Sequence, residues 1–263
     1  MIRKDRTRIG VMFTPANPPH MIEFLVAMQA MAEFLLEQVL YVVNCAHCGP
    51  PALAETTEHR LAMAQAAAAA FGQMITSTDL DARKALVLEP TRMADGRERL
   101  RADGEDYAFR IFRLNPKDRL TLVFIAGLEH CRRTDEAGRD DTVNKLLLNI
   151  KQRYCGFNPD LHNVVALFVG DGTRQPAEFA FSLEEQGLIE RGLFATETLN
   201  FRPPGGIQEK ELARRLTSGL KDLLNGKLDL NKLVFLPKSV LSYLADHKDC
   251  IQRLIESRPD SRD

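Results

Sequence analysis

The sequence has no tryptophan, only four tyrosines and almost no net charge in its 263 residues. Lys and Arg number 35 against 36 Asp and Glu, so the formal net charge is −1 and no basic surplus indicates a nucleic-acid surface. Long apolar runs are also missing, since none approaches the ~18 residues that a membrane helix needs. These absences argue against a nucleic-acid binder and a membrane protein, and we expect a cytoplasmic protein.

Cysteine is sparse too, with five residues, an odd number, in a chain long enough to bury its own core. This usage is typical of reduced thiols in a cytosol. Cys45 and Cys48 form a C-x-x-C motif, but no second pair of ligands follows at the spacing of a zinc site. A redox pair would open a helix, whereas Gly49, Pro50 and Pro51 come next. We therefore interpret the two cysteines as loop residues and predict no metal site made by the protein alone.

Short apolar runs alternate with stretches of helical periodicity along the chain. The predicted strands are 9–13, 39–43, 84–89, 120–126, 164–169 and 193–201. The predicted helices are 19–36, 57–70, 105–114, 141–153, 207–224 and 237–246. Strand followed by helix, repeated about five times, predicts an α/β fold with a doubly wound, Rossmann-like parallel sheet. We expect residues 1–205 to form this domain and the helices of residues 206–263 to pack on it.

The first predicted strand ends in a loop that leads into a helix, residues 13–20, with the sequence FTPANPPH. Loops at the carboxyl ends of strands bind the ligands of doubly wound sheets. The common signatures GxxxxGK(S/T), GxGxxG, HExxH and GxSxG are missing from the sequence. His20 nevertheless stands at the start of a helix, where backbone N–H groups and the positive end of the dipole suit a phosphate. A packing or surface role for this histidine stays open from the residues alone.

The residues from Gly10 to His20 resemble the opening of the nucleotidylyltransferase superfamily. Members of that superfamily carry a strand, a G-(G/S)-(T/S)-F-(D/N)-P motif and then a histidine pair. Four further segments are similar to motifs of the nicotinate/nicotinamide mononucleotide adenylyltransferase branch, and they follow in its order across nearly the whole chain. These segments are 59–63 (HRLAM), 122–129 (LVFIAGLE), 193–198 (LFATET) and 236–244 (LPKSVLSYL).

Several residues depart from the pattern of the family. Asn17 stands where the first histidine or threonine of the pair belongs, and Pro19 stands where many members have glycine. The second family signature, (S/T)-(S/T)-x-x-(R/K), is not recognisable at its junction, where residues 201–206 read FRPPGG. Two glycines before a helix can still offer N–H groups to a phosphate, and Arg202 can add a charge. A rival S-x-x-K at residues 218–221 lies within a helical pattern, and we interpret it as structural.

The resemblance implies an adenylyltransferase that transfers AMP from ATP to nicotinate or nicotinamide mononucleotide and releases pyrophosphate. ATP is then a substrate and Mg²⁺ assists, the partners are small-molecule nucleotides, and a homo-oligomer is compatible with the sequence. His20 and Asn17 are the implied catalytic residues. The implied nucleotide-binding residues are Gly10, Phe13, Thr14, Gly127, Glu129, Arg202, Gly205 and Gly206. We expect the last three to form a second wall of the ATP site, opposite His20.

Two other functions stay open. One is a nucleotidylyltransferase with another acceptor, because residues 44–56 lack the element that the family uses for the mononucleotide. The other is a non-catalytic nucleotide-binding or regulatory protein of the same fold. Asn17 bears no positive charge, and the loss of a charged contact to a transition-state phosphate would cost about 2–4 kcal/mol, or ~10²–10³ in rate.

Overall fold

The computed structural model describes residues 6–14, 16–43, 57–78, 89–92, 98–101, 118–127, 161–170, 190, 194–206 and 209–256. The strands of this part of the chain are β1 (Thr7–Thr14), β2 (Gln38–Val43), β3 (Ile75–Thr78), β4 (Glu89–Arg92), β5 (Glu98–Arg101), β6 (Leu120–Gly127), β7 (His162–Gly170) and β8 (Phe194–Asn200). Its α-helices are α1 (Met21–Phe34), α2 (Thr57–Ala68), α3 (Glu209–Leu224), α4 (Lys238–Asp246) and α5 (Lys248–Glu256).

Six of these strands form one parallel sheet in the order β3-β2-β1-β6-β7-β8. β1 pairs with β6, β6 with β7 and β7 with β8, each in parallel register. The strand order reverses between β1 and β6, which lie side by side although they are far apart in sequence. This is the order of a doubly wound, Rossmann-like sheet, so the predicted α/β class is confirmed. β1 lies inside the sheet, as its apolar sequence predicts.

The central strands have almost unbroken apolar sequences because both of their faces are buried. In β6, four successive residues from Leu122 to Ile125 are each at most 4% exposed, and β7 is buried from Val164 to Phe168. A strand with one solvent-exposed face alternates apolar and polar residues, whereas a parallel strand that is buried on both faces does not. The same feature explains why both strands are recognisable from the sequence.

Contacts divide the chain into two compact units. Unit 1 comprises Met1–Met12, Ala30–Leu40 and Lys84–Phe201, and unit 2 comprises Phe13–Gln29, Tyr41–Arg83 and Arg202–Asp263. Among the described elements, unit 1 contains β4 to β8, and unit 2 contains β3 and α2 to α5. The predicted division of the chain into residues 1–205 and 206–263 stays a prediction.

The end of α1 belongs to unit 1 and is capped without a glycine. Leu35 follows the helix in the left-handed conformation, with φ of 53°, and the N–H of Leu36 donates to the carbonyl of Met31 at 3.1 Å. Arg8 on β1 donates from Nη1 to the carbonyl of Phe34 at 2.8 Å. This is the geometry of a Schellman-type helix end, and the arginine satisfies a further carbonyl that the helix leaves open.

The interior of unit 2 is built on stacked rings and on contacts between helices. Phe24 of α1 stacks on Tyr41 of β2, with ring centroids 5.0 Å apart, and on Phe71 at 5.1 Å. α2 packs against α4, and α3 packs against α5. Gly219 of α3 allows the buried Leu233 to approach closely, because a Cβ at this glycine would lie 2.6 Å from Leu233 Cδ2.

Some elements differ from their predictions. β3 does not stand out in the sequence, because its four residues, ITST, include a single apolar side chain. The predicted strand 84–89 reaches the described residues only at Glu89, which begins β4 and pairs antiparallel with β5, apart from the six-stranded sheet. The predicted helices 105–114 and 141–153 lie outside the described residues. α5 is an additional helix that follows α4 after one residue.

No helix in the described ranges is long and apolar enough to cross a membrane.

Candidate functional site

The loop between β1 and α1 begins at a buried threonine. Thr14 ends β1, is 1% exposed, and accepts the N–H of Ala16 on its Oγ1 at 3.0 Å. Ala16 is also buried and adopts the left-handed conformation with φ of 47°, which costs a residue other than glycine roughly 1–2 kcal/mol. The peptide bond from Asn17 to Pro18 is cis. Residues 16–20, called the first loop below, are therefore strained at Ala16 and held there by Thr14.

One carboxylate ties the first loop to β1 and β2. Glu23 is the third residue of α1, and its Oε2 accepts the backbone N–H of His20 at 2.9 Å. A glutamate that binds the N–H of the residue before its helix is one half of a capping box. Glu23 Oε1 accepts the hydroxyl of Thr14 at 2.6 Å, and Oε2 accepts the hydroxyl of Tyr41 at 2.5 Å. A single side chain thus receives three hydrogen bonds from three separate segments.

Tyr41 gives this network a hydroxyl that stays protonated. Its side chain is completely buried, and burial raises the pKa of the hydroxyl well above its usual range. The negative charge of Glu23 and the hydrogen bond to it raise the pKa of Tyr41 further. The oxygen of Tyr41 also lies 3.3 Å from Thr14 Oγ1. At neutral pH, Tyr41 is therefore a neutral donor beside a buried threonine and a carboxylate.

The start of α1 already has partners within the chain. The N–H of His20 donates to Glu23, and the N–H of Met21 donates to the carbonyl of Phe235 at 2.7 Å. Glu23 also places a carboxylate at the positive end of the helix dipole. Two of the N–H groups that the sequence offers to a phosphate are therefore engaged by the protein itself.

His20 and Asn17, the predicted catalytic residues, lie together in the first loop, and both are half-buried. Nε2 of His20 and Oδ1 of Asn17 are buried from solvent. A ligand that binds these two atoms has to reach below the surface of the loop. The contacts of both residues with a nucleotide stay predictions.

Gly10 lies four residues before the end of β1, and packing explains its lack of a side chain. A Cβ at this position would come to 2.9 Å from Leu36 Cδ1 and from Val39 Cγ2. Both neighbours are buried apolar residues of unit 1. The structure thus supplies a reason for glycine that does not involve a nucleotide, and the predicted nucleotide contact of Gly10 stays a prediction.

The other predicted residues on the strands stand at strand ends. Phe13 is the residue before the last in β1, and Gly127 ends β6. Glu129 lies outside the described residues. The strand ends are where a parallel sheet of this kind binds its ligands, but the individual contacts stay predictions.

The second predicted phosphate segment, residues 202–206, is called the glycine loop below. Arg202, Gly205 and Gly206 are all exposed. The two glycines have φ of 72° and 63°, a region that disfavours other residues. The N–H of Gly206 donates to the carbonyl of Pro203 at 3.0 Å. One of the two N–H groups expected for a phosphate is therefore used to close a short turn.

The rival S-x-x-K segment, residues 218–221, lies inside α3, as its helical pattern predicts. It has no helix start at which a phosphate could meet free N–H groups. The glycine loop therefore remains the candidate second segment. Its predicted place opposite His20 stays a prediction.

Two segments that resemble family motifs meet within unit 2. Nδ1 of His59 in α2 lies 2.7 Å from the hydroxyl of Tyr243 in α4. The ring of Tyr243 stacks on His247 at a centroid distance of 4.1 Å, and Nδ1 of His247 lies 2.8 Å from the carbonyl of Tyr243. The contact between His59 and Tyr243 joins α2 to α4, so it gives these two motif residues a structural role.

Glu23 and Tyr41 are not among the site residues predicted from the sequence. The spacing from His20 to Glu23 is that of a capping box, and this signal could have identified the glutamate. Tyr41 offers no comparable signal, because a tyrosine within an apolar strand is typical of a core residue. Only the pairing of β2 with β1 brings it to Glu23.

The strand order and the position of the first loop define a Rossmann-like α/β protein. No family model and no curated protein matches the chain. Among solved structures it is similar to Plasmodium falciparum nicotinic acid mononucleotide adenylyltransferase complexed with NaAD, at 13% identity and a TM-score of 0.49, over 93% of this chain and 98% of that chain. It is also similar to that enzyme complexed with APC, at 12% identity and a TM-score of 0.44, with the same coverage of 93% and 98%.

Both structures belong to the branch of enzymes that the sequence motifs resemble.

Proposed function

We propose that this protein is an adenylyltransferase that transfers AMP from ATP to nicotinate or nicotinamide mononucleotide and releases pyrophosphate. The observation that carries the proposal is the place of the first loop, which leaves the carboxyl end of β1 where the strand order reverses. Doubly wound sheets bind nucleotides at such a place. The residues that follow β1 include Asn17 and His20, whose segment resembles that of the nucleotidylyltransferases.

The proposed reaction requires positioning rather than an enzyme nucleophile. A phosphate oxygen of the mononucleotide attacks the α-phosphorus of ATP in line, and the bond from that phosphorus to its bridging oxygen breaks. Pyrophosphate leaves with the electron pair. Donors that meet the charge developing on the phosphate lower the barrier. The ring of His20 and the amide of Asn17 can serve as such donors, and the bond from Thr14 to Glu23 steadies the loop that carries them.

The described residues are compatible with a Mg²⁺ ion that is bound mainly through the nucleotide. Mg²⁺ in nucleotide sites takes one or two carboxylates and completes its shell with phosphate oxygens and water. Among the described residues, no three His, Cys, Asp or Glu side chains come together as a metal cluster. Glu23 is a carboxylate at the proposed site, and it already accepts three hydrogen bonds. When bound, the ion neutralises phosphate charge in the transition state.

One observation favours a second candidate, a non-catalytic nucleotide-binding protein of the same fold. The carboxylate of Glu23 accepts the N–H of His20 and compensates the dipole of α1. Both features weaken the attraction of the loop for phosphate. A protein that binds a nucleotide without turning it over needs less charge neutralisation than an enzyme does.

The test combines purified protein, ATP and Mg²⁺ with each mononucleotide and measures pyrophosphate and the dinucleotide product. We expect pyrophosphate only when ATP and an acceptor are both present. Omission of the acceptor controls for hydrolysis of ATP, and a panel of other phosphorylated acceptors tests the alternative substrate. Binding of ATP without pyrophosphate from any acceptor would favour the non-catalytic protein. Absence of ATP binding would exclude both functions.

A further inference from the structure

The hydrogen-bond donors around Glu23 are of the kind that bind a phosphate. The backbone N–H of His20 and the hydroxyl of Thr14 both point to its carboxylate, at 2.9 and 2.6 Å. The protonated hydroxyl of Tyr41 adds a third hydrogen bond. Helix starts with such donors attract anions in general. In this chain the anion is a side chain of the helix itself.

A built-in carboxylate differs from a bound phosphate in one respect that matters for ligand choice. It is covalently attached and cannot leave when a nucleotide arrives. Any phosphate that approaches the first loop therefore meets a fixed negative charge beside the donors. Repulsion between like charges grows with the charge of the ligand and is stronger near a protein surface than in bulk water. The penalty is larger for a triphosphate than for a monophosphate.

We propose that Glu23 is a specificity-determining residue that makes the nucleotide site discriminate against ligands of high negative charge. The inference rests on the proposed function, because it requires a nucleotide at the first loop. A nucleoside monophosphate binds with less repulsion than free ATP. ATP therefore binds best when a divalent cation has reduced its charge.

The substitution Glu23→Gln removes the negative charge of the side chain and keeps its shape. The amide oxygen of glutamine can still accept from Tyr41 and His20, and its NH₂ group can donate to Thr14 Oγ1, so the network can keep its form. The experiment measures the affinities of ATP and AMP by titration calorimetry at low salt with EDTA present. We expect the ratio of ATP affinity to AMP affinity to rise about tenfold in Glu23→Gln relative to the unchanged protein.

Two further variants complete the design. Glu37→Gln is the matched control, because it removes the same charge from an exposed residue beyond the other end of α1. It should leave the ratio unchanged. Glu23→Ala removes the charge together with the hydrogen bonds. If Glu23→Gln does not fold, a raised ratio in Glu23→Ala still supports the proposal.

The outcomes distinguish this inference from the proposed function. An unchanged ratio of ATP affinity to AMP affinity in Glu23→Gln would overturn the inference. If both affinities fell equally, Glu23 would have a purely structural role. ATP binding that appears only in Glu23→Gln would support it, since the carboxylate then blocks the site. If no variant binds either nucleotide, the proposed function fails and the inference fails with it.

Discussion

The first loop and the glycine loop are the two segments that the sequence predicts to hold phosphate, and they are built in opposite ways. The first loop contains a strained alanine and is joined to β1 and β2 through the carboxylate of Glu23. The glycine loop is largely exposed, and the hydrogen bond from the N–H of Gly206 to the carbonyl of Pro203 lies within the loop itself. The conformation of the first loop depends on contacts with residues distant in sequence, whereas the conformation of the glycine loop depends on its own glycines.

This difference separates two ways of presenting donors to a ligand. Hydrogen-bond donors that the fold holds in place do not have to be ordered during the reaction. They therefore lower the activation barrier more than donors on an exposed turn do. The cost is that substitutions in such a network alter stability as well as function. An exposed turn can be changed with less effect on stability unless a glycine at positive φ is replaced. Four substitutions test this contrast, and the first of them should change its measured quantity most.

His20→Ala should have the largest effect, on activity. The variant keeps the backbone N–H that binds Glu23 and loses only the ring. We expect pyrophosphate release to fall by about 10²–10³, because a donor to the reacting phosphate is removed. The melting temperature, measured by circular dichroism, should be nearly unchanged. A parallel loss of stability and ATP binding would identify His20 as a packing residue.

Thr14→Val tests whether the network of the first loop stabilises the fold. Valine has the same shape as threonine but removes the donor to Glu23 and the acceptor for the N–H of Ala16. We expect the free energy of unfolding in urea to fall by about 1–3 kcal/mol, since buried polar groups lose their partners. Thr217→Val is the matched control, because that hydroxyl binds the carbonyl of Ala213 on exposed helix surface. A similar loss in both variants would show that the effect is not specific to the network of the first loop.

Gly206→Val tests whether the conformation of the glycine loop depends on the positive φ of its own glycine. A Cβ at this position would meet open space, so the expected cost comes from the backbone and not from a clash. We expect a loss of about 1–2 kcal/mol in the free energy of unfolding, and a smaller loss in Gly206→Asn, because asparagine tolerates positive φ. Equal losses in the two variants would show that the turn does not depend on this conformation.

Arg202→Ala should have the smallest effect, on affinity alone. The side chain is exposed, so its removal should leave the melting temperature unchanged. If the glycine loop forms the second wall of the ATP site, ATP affinity should fall by about three- to tenfold. A change of less than about twofold, ~0.4 kcal/mol, would show that this loop is not a phosphate site.

The parts of the fold that the sequence predicts well are those with a continuous local signal. β6 and β7 are covered on both faces and therefore read as unbroken apolar runs. α1 shows its helical period from residue 19 onwards and begins at Met21, directly after the predicted loop. β3 carries no such signal, because pairing with β2 at the edge of the sheet makes it a strand. The pairing of β4 with β5 likewise arises from contacts between segments.

The α/β class, the position of the loop after β1 and the presence of His20 and Asn17 in that loop could all be predicted from the sequence. Apolar periodicity and turn residues act within a few positions, so they can be read directly from the chain. Glu23 receives hydrogen bonds from Thr14 and Tyr41, which lie 27 positions apart, and this could be seen only once the chain was folded. A carboxylate can accept hydrogen bonds from donors that are distant in sequence, and the pairing of the strands determines which donors lie within hydrogen-bond distance.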